Sequence, residues 1–129
     1  MFTDAEIDYL TTQGLGRLAT QQPNGTLQVS PVGFTYNTDE KAIDVHGHRL
    51  AHSRKFRNIA DNGKVAFVVD DRPSLNPMRV RCLEIRGHAE ALTDGPDAVI
   101  RIHPERIISF GIEDPDHSPL ELVPHNRNV

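Results

Sequence analysis

Apolar and polar positions alternate along much of the chain, and this alternation predicts β-strands. From residue 83 to residue 91 the odd positions are apolar or glycine and the even positions are charged or imidazole, as in a strand with one face on a core. Further stretches of strand length lie at about 15–20, 26–34, 41–48, 64–70 and 98–112. The Asn24-Gly25 pair between the first two of these is the strongest hairpin signal in the chain.

Two short helices are predicted among the strands. Thr3 and Glu6 have the spacing of a capping box, which predicts a helix that starts there and ends near Gly14. A second helix is predicted to begin at Ser53, a favourable N-cap, and to end before Gly63. With so little helix, the predicted fold class is mainly β.

About six strands joined by hairpins, with one central helix, favour a closed or partly open antiparallel barrel over a sheet of βαβ units. Gly33, Gly47 and Gly87 lie inside strand patterns, where glycine indicates a bend, a bulge or a ligand that approaches closely. Two prolines predict a loop at 71–79, and three more predict a loosely ordered tail at 113–129.

The length of 129 residues fits a single domain, with its core expected at about 3–112. Hydrophobic residues make up 37% of the chain, aromatic residues only 5%, and there is no Trp. A core built from these residues is thin. We therefore expect the protein to bury further apolar surface by forming a dimer.

Charge, cysteine content and hydropathy argue against several classes of protein. The net charge of −4 argues against a nucleic-acid binder. Cys82 is alone, so no disulfide forms within the chain, and its isolation indicates a small buried hydrophobe. The chain begins without a signal-peptide pattern and contains no run of about 18 apolar residues. We expect a cytoplasmic protein with no membrane contact.

A basic segment carries the main chemical signal. Between Val45 and Asn58 the chain reads VHGHRLAHSRKFRN, with four cations and three imidazoles in an otherwise acidic protein. Ser53, Arg54 and Lys55 fall at the start of the predicted second helix, where the backbone carries partial positive charge and cations are unfavourable. A phosphate group would relieve this repulsion and bind the free amides. The alternative is a solvated charged face of the helix.

The segment Ser30-Pro31-Val32 is a second irregularity. A proline inside a predicted strand cannot donate to the hydrogen-bond ladder, so a neighbouring carbonyl is left without a partner. Backbone groups freed in this way could bond the edge of a heterocycle. An edge strand or a bulge explains the same proline without a ligand, and on this pattern alone it is the simpler interpretation.

Three histidines close together raise the question of a metal site. His46, His48 and His52, with Asp44 or His88, are candidate zinc ligands by residue type. Their spacing matches no known ligand pattern, and we therefore expect no metal.

An ordered set of six stretches covers roughly Leu15 to Ile112: LGRLAT, NGTLQVSPVGF, IDVHGHRLAHSRKFRNIA, VAFVVDD, LEIRGHAEAL and IRIHPERIISFGI. The set resembles the pyridoxamine 5′-phosphate oxidase-like split β-barrel proteins, and within them the class that uses the deazaflavin coenzyme F420. The resemblance implies a six-stranded antiparallel split β-barrel of the FMN-binding type. It also implies a homodimer with two cofactor sites at the subunit interface.

The resemblance assigns candidate cofactor-binding residues in three groups. The phosphate group consists of Ser53, Arg54, Lys55 and Asn58. The ring group, along which the tricyclic ring lies, consists of Val29, Ser30, Pro31 and Val32. The third group, which faces the ring or the ribityl chain, consists of His46 and Gly47.

Two departures from the family pattern affect the expected activity. The chain looks too short for the C-terminal segment by which pyridoxamine phosphate oxidases grip pyridoxal phosphate, so we do not expect that activity. Phe110 stands where similar sequences have Trp, which leaves the shape of the ring pocket open. The expected reaction is hydride transfer from reduced F420 to a small electron-poor acceptor. His46, His48, Tyr36 and water are the candidate proton donors.

Two other functions stay open at this stage. The same fold with FMN would be a flavin-dependent oxidase or reductase. A non-enzymatic carrier or sensor would bind heme, another tetrapyrrole or a cofactor in the barrel groove, with His46, His48 or His88 as the axial ligand.

Overall fold

Strands account for most of the chain. The structure, a computed structural model, describes residues 1–129. Its helices are α1 (Asp4–Thr12) and α2 (Arg54–Asn62), and short 3-10 turns lie at Leu50–His52 and Pro119–Glu121. Its strands are β1 (Leu15–Gln21), β2 (Leu27–Asn37), β3 (Ala42–His46), β4 (Lys64–Leu75), β5 (Met78–Leu92), β6 (Val99–Phe110) and β7 (His125–Asn128). Neither helix has the length and hydropathy needed to span a membrane.

Six of the strands form a closed antiparallel ring. Their order is β3-β2-β1-β4-β5-β6, and β6 pairs back with β3 through Ile43↔Ile102 and its neighbours. The other half of β6 pairs with β7, which lies outside the ring. The predicted six-stranded antiparallel barrel is confirmed, because the hairpin pairings, the β1–β4 pairing and the β3–β6 pairing together close the ring.

The alternating pattern selects which side chains fill the barrel. In β5, Leu83 and Ile85 are fully buried, whereas Arg86 is exposed. Gly87 lies at a bulge, where β5 and β6 shift register. A Cβ at this position would lie 2.1 Å from the carbonyl oxygen of His103, so only glycine allows the two strands to approach this closely. Of the interpretations offered for this glycine, the bulge is the one found at Gly87.

The predicted helix starts are confirmed, and α2 ends as predicted, whereas Gly14 does not have the expected role at the end of α1. Thr3 and Glu6 form a reciprocal capping box at α1. Ser53 caps α2, and Gly63 ends it in the left-handed conformation, with φ 71°. Gly14 does not end α1, because the chain already leaves the helix at Gln13 in an extended conformation that requires no glycine.

The loop predicted at 71–79 is wrong. Strands β4 and β5 continue through this region to a tight turn at Asn76-Pro77. The register shifts between Asp71 and Ser74, and Pro73 falls in this unpaired interval. A bulge and a turn need no amide from proline, so neither proline interrupts the hairpin.

The tail predicted as loosely ordered at 113–129 contains a strand in the structure. Residues 125–128 pair with 106–109 of β6. Arg127 of this strand reaches α1 and bonds the carboxylate of Glu6, which is 0% exposed. The local sequence showed no apolar pattern because this segment is held by a polar contact with a residue more than a hundred positions away.

Candidate functional site

At the start of α2 the first backbone amides are free, and Ser53 is the N-cap of the helix. The Ser53 hydroxyl accepts from the Phe56 amide at 3.2 Å and donates to the Leu50 carbonyl at 2.6 Å. The amides of Arg54 and Lys55 lie in the first turn, where the helix itself has no carbonyl to accept them. The amides, more than the serine hydroxyl, are therefore available to an anion.

The cations around this helix start have no counter-charge in the chain. No carboxylate lies within ion-pair distance of Arg49, Arg54, Lys55 or Arg57. Five other arginines of the chain do pair with carboxylates: Arg17, Arg81, Arg86, Arg101 and Arg127. The unpaired cations adjoin the positive end of the helix dipole, and this combination favours the binding of an anion.

Strand β2 has a free edge near this helix. It pairs with β1 from Leu27 to Gly33, but with β3 only from Gly33 to Asn37. Residues 27–32 therefore carry backbone groups with no strand on their second side. Pro31 lies in this free edge, which agrees with the edge-strand interpretation of the proline. A heterocycle bound along β2 would need the same free edge.

The ring group divides between the two faces of β2. Val29 and Pro31 point outwards, and Val29 is 67% exposed. Val32 points into the barrel and is buried, and the buried Ser30 hydroxyl has no hydrogen-bond partner. A ligand along this strand would meet the outward side chains and the backbone of all four residues, but not the side chain of Val32.

His46 and Gly47 stand at the end of β3, opposite the point where β2 becomes free. A groove of about 530 Å³ opens beside them and runs to the start of α2. It is lined by His46, Gly47, Arg49, Leu50, Ala51, His52, Pro96, Asp97 and Ala98. A second groove of about 650 Å³ adjoins it and shares His46, Pro96 and Asp97 with it. No group of three His, Cys, Asp or Glu side chains is arranged to hold a metal ion.

Asn58 lies beneath the surface, unlike the rest of the phosphate group. It is 1% exposed, and its amide donates to the Thr20 hydroxyl at 3.0 Å and to Gln28 at 3.4 Å. In this conformation the side chain is closed off from the surface. A direct bond from Asn58 to a phosphate, as the resemblance implies, requires a different arrangement of this side chain.

The sequence signal did not single out every residue of the groove. Arg49 and His52 line the groove. Both belong to the basic segment, which the composition of the chain had already indicated as a candidate site. Pro96 and Asp97 come from the turn before β6, far along the chain. Only the closure of the barrel brings that turn beside β3, and no local pattern indicates it.

The outer face of β1, β2 and β4 is apolar and exposed. Val29, Ala19 and Ala66 are neighbours in one row across these strands. They border a shallow groove of about 270 Å³ lined mostly by apolar side chains. The Arg17–Asp70 ion pair, at 2.8 Å, stands beside it. The ring group thus borders an apolar surface.

Cys82 is not a nucleophile in this environment. Burial, with smaller contributions from Asp70 and Glu84, raises the pKa of its thiol to about 11. The thiol is protonated at neutral pH, and only the thiolate is reactive. The interpretation of Cys82 as a small hydrophobe agrees with this environment.

Comparisons with known proteins match nearly the whole chain. A family model described as pyridoxamine 5′-phosphate oxidase matches residues 2–124. The 5a,11a-dehydrotetracycline/5a,11a-dehydrooxytetracycline reductase of Streptomyces rimosus is 46% identical, over 87% of this chain and 84% of that protein. The solved FAD-binding protein of Mycobacterium smegmatis has a TM-score of 0.65 and 19% identity, covering 84% of this chain and 93% of its own. The match to a heme-binding protein of that organism has a TM-score of 0.69 and 16% identity, and it covers 99% of this chain and 59% of that protein.

Proposed function

The chain belongs to the pyridoxamine 5′-phosphate oxidase family and is an oxidoreductase that acts on small molecules, and from this premise we propose that it uses coenzyme F420. The proposed reaction is reduction of an electron-poor double bond in a small organic substrate. The Streptomyces rimosus relative is named as a reductase of dehydrotetracyclines, which supports reduction as the direction of the reaction. We expect this reaction to take place in the cytoplasm.

One observation carries the proposal: the helix whose start holds the unpaired cations bonds, through Asn58, to Gln28 in the free edge of β2. The phosphate of the cofactor would accept from the amides of Arg54 and Lys55 and from their side chains. The ring would lie along residues 29–32, where the strand has unused backbone groups. His46 and Gly47 would face the ring or the ribityl chain from the end of β3.

The residues of the site orient the reactants more than they take part in covalent chemistry. The reduced deazaflavin, when bound, supplies a hydride from its C5 carbon. The edge of β2 would hold the ring so that a substrate in the adjoining groove faces it. His46 is the proton donor favoured by position, because it is exposed and lines both grooves. Tyr36 instead packs edge-on against Phe2, with ring centroids 5.6 Å apart.

A homodimer would complete this site. The exposed apolar face around Val29 and Ala66 resembles the buried part of an interface more than an ordinary surface. A second copy on this face would cover the outward side chains of the ring group and exclude water from the ring. The proposed assembly is therefore two chains with two cofactor sites between them.

FMN is the second candidate cofactor, because the same cations and amides would bind its phosphate. The FAD-binding neighbour shares the fold, which accommodates a flavin in that protein. The heme-carrier alternative has less support. The chain shares the fold of the heme-binding Mycobacterium smegmatis protein, but His88, one of the three candidate axial ligands, stacks on His103 with ring centroids 5.0 Å apart.

Titration of the purified protein against F420 and FMN, followed by fluorescence quenching, tests the proposal. We expect F420 to bind in the micromolar range, and reduced F420 to be consumed when an enone acceptor is added. A yellow protein that binds FMN and transfers no hydride from F420 would favour the second candidate. Absence of binding by both compounds at tens of micromolar would contradict the oxidoreductase site proposed at α2.

A further inference from the structure

Helix α2 is held on the barrel largely by apolar contacts. Phe56 and Ile59 are buried against the core, and such contacts have no preferred direction. They bury the helix but do not by themselves determine how far it is rotated or shifted over the strands. A directed bond is needed to set the distance between the start of the helix and the free edge of β2.

Asn58 makes that bond. It lies one helical turn after Lys55, on the same side of α2. Its amide donates to Thr20 in β1 and to Gln28 in β2, and Thr20 and Gln28 are themselves a cross-strand pair. No other side chain of α2 hydrogen-bonds to β2. Gln28 comes directly before the ring group that begins at Val29.

The side-chain amide of Asn58 makes this bond although its own oxygen is left without a partner. The Oδ1 atom of Asn58 is buried and has no donor. An unpaired buried acceptor destabilises a fold, and an apolar residue of similar size would avoid that cost. The main consequence of Asn58 is therefore the direction it gives to the contact between α2 and β2.

We propose that Asn58 is a positioning residue, which fixes the spacing between Ser53, Arg54 and Lys55 at the start of α2 and the ring group on β2. The inference rests on the proposed function. A cofactor that binds both groups gains affinity only when their separation matches its own length. Loss of the bond should therefore reduce the affinity gained from the phosphate while leaving the ring contacts in place.

The ratio of two dissociation constants measures this effect. Riboflavin differs from FMN by the phosphate alone, so this pair gives the gain from the phosphate in one protein sample. The deazariboflavin chromophore lacks both the phosphate and the anionic tail of F420, so the second pair gives the gain from both together. In Asn58→Ala we expect the ratio of the two dissociation constants to fall by about five- to tenfold, with little change in the Kd of the phosphate-free compound. Thr20→Val removes the acceptor with a side chain of similar shape and should lower the gain in the same direction.

Asn62→Ala is the matched control. Asn62 also bonds from α2 to β1, at 2.7 Å to the Gln21 carbonyl, but at the far end of the helix. It should lower the melting temperature yet leave the ratio within twofold of that of the unmodified protein. An unchanged ratio in Asn58→Ala, or an equal fall in Asn62→Ala, would overturn the positioning role. If Asn58→Ala does not fold, the ratio measured in Thr20→Val tests the positioning role in its place. An unmodified protein that binds none of the four compounds would refute the proposed function itself.

Discussion

Lys55 is the half-buried cation of the unpaired group at the start of α2. Its replacement in Lys55→Ala is expected to raise the Kd for F420 or FMN by about tenfold or more, because a charge-assisted bond contributes roughly 1.5–3 kcal/mol. The difference from the unmodified protein should shrink as salt is added, since the interaction is with an exposed anion. Fluorescence titration at low and high ionic strength measures both effects.

Lys64→Ala serves as the control for this substitution. Lys64 is exposed and also lacks a carboxylate partner, but it lies at the start of β4, beyond the other end of α2. It should change the Kd by less than twofold. Equal losses in the two variants would mean that net charge, and not a site at α2, attracts the cofactor.

The close packing around Gly87 allows a prediction about the stability of the fold. A methyl group at this position would meet the His103 carbonyl oxygen at 2.1 Å, and a backbone atom cannot move aside as a flexible side chain can. Gly87→Ala should therefore cost about 3 kcal/mol or more of unfolding free energy. Gly14→Ala, where a Cβ meets nothing within 4 Å, should be neutral within about 1 kcal/mol. Urea unfolding compares the two, and similar stabilities would show that the bulge relaxes.

At the scale of elements, a buried ion pair joins β7 to α1. Glu6 is fully buried and bonds both Arg127 and the Thr3 amide. Burial alone raises the pKa of Glu6, but the hydrogen bonds from Arg127 and Thr3 outweigh it and hold the pKa below its ordinary value. The contact thus ties the C-terminal strand to the first helix and stabilises the charged carboxylate.

Arg127→Ala leaves this carboxylate buried without its partner. We expect the free energy of unfolding to fall by about 2–4 kcal/mol at pH 7. This lies towards the lower part of the range for buried pairs, because Arg127 is partly exposed. Because the folded pKa of Glu6 is depressed, the stabilisation is present above the unfolded value near pH ~4.3 and is lost as the pH falls through the folded value. The difference between variant and parent should therefore narrow in urea unfolding below pH 4.

Arg86→Ala provides the comparison for an exposed pair. Its partner Glu84 lies at 2.7 Å, but the arginine is solvent-exposed. The expected loss is under about 1 kcal/mol. A loss in Arg127→Ala no larger than this would mean that β7 contributes little to holding α1.

At the scale of the whole molecule, the apolar outer face predicts a dimer. Size-exclusion chromatography with light scattering should give twice the mass of one chain at micromolar concentration. Val29→Glu places a charge in the centre of that face and should give monomers that bind the cofactor at least tenfold more weakly. Thr11→Glu, on the exposed side of α1, should stay dimeric. A monomeric parent protein would contradict the shared site.

The periodicity of the chain determined which segments form strands and which face of each strand is buried. Alternation such as that of residues 83–91 separates a core face from an outer face, and hairpin signals such as Asn24-Gly25 join neighbouring strands, because both depend on local geometry. The helix starts at Thr3 and Ser53 were predictable for the same reason, since a cap bonds amides only two or three residues away. The basic segment was also visible, because a cluster of charge is a property of composition.

Contacts between distant parts of the chain were decided by the tertiary structure alone. The strand at 125–128 exists because β6 offers a free edge and Glu6 an unpaired carboxylate, and neither is near it in sequence. The turn at Pro96 and Asp97 reaches the groove only because β6 closes on β3. Asn58, expected to bind the phosphate, lies inside because it bonds Thr20 and Gln28 on distant strands. Local forces determine each element, whereas closure of the ring determines which elements meet.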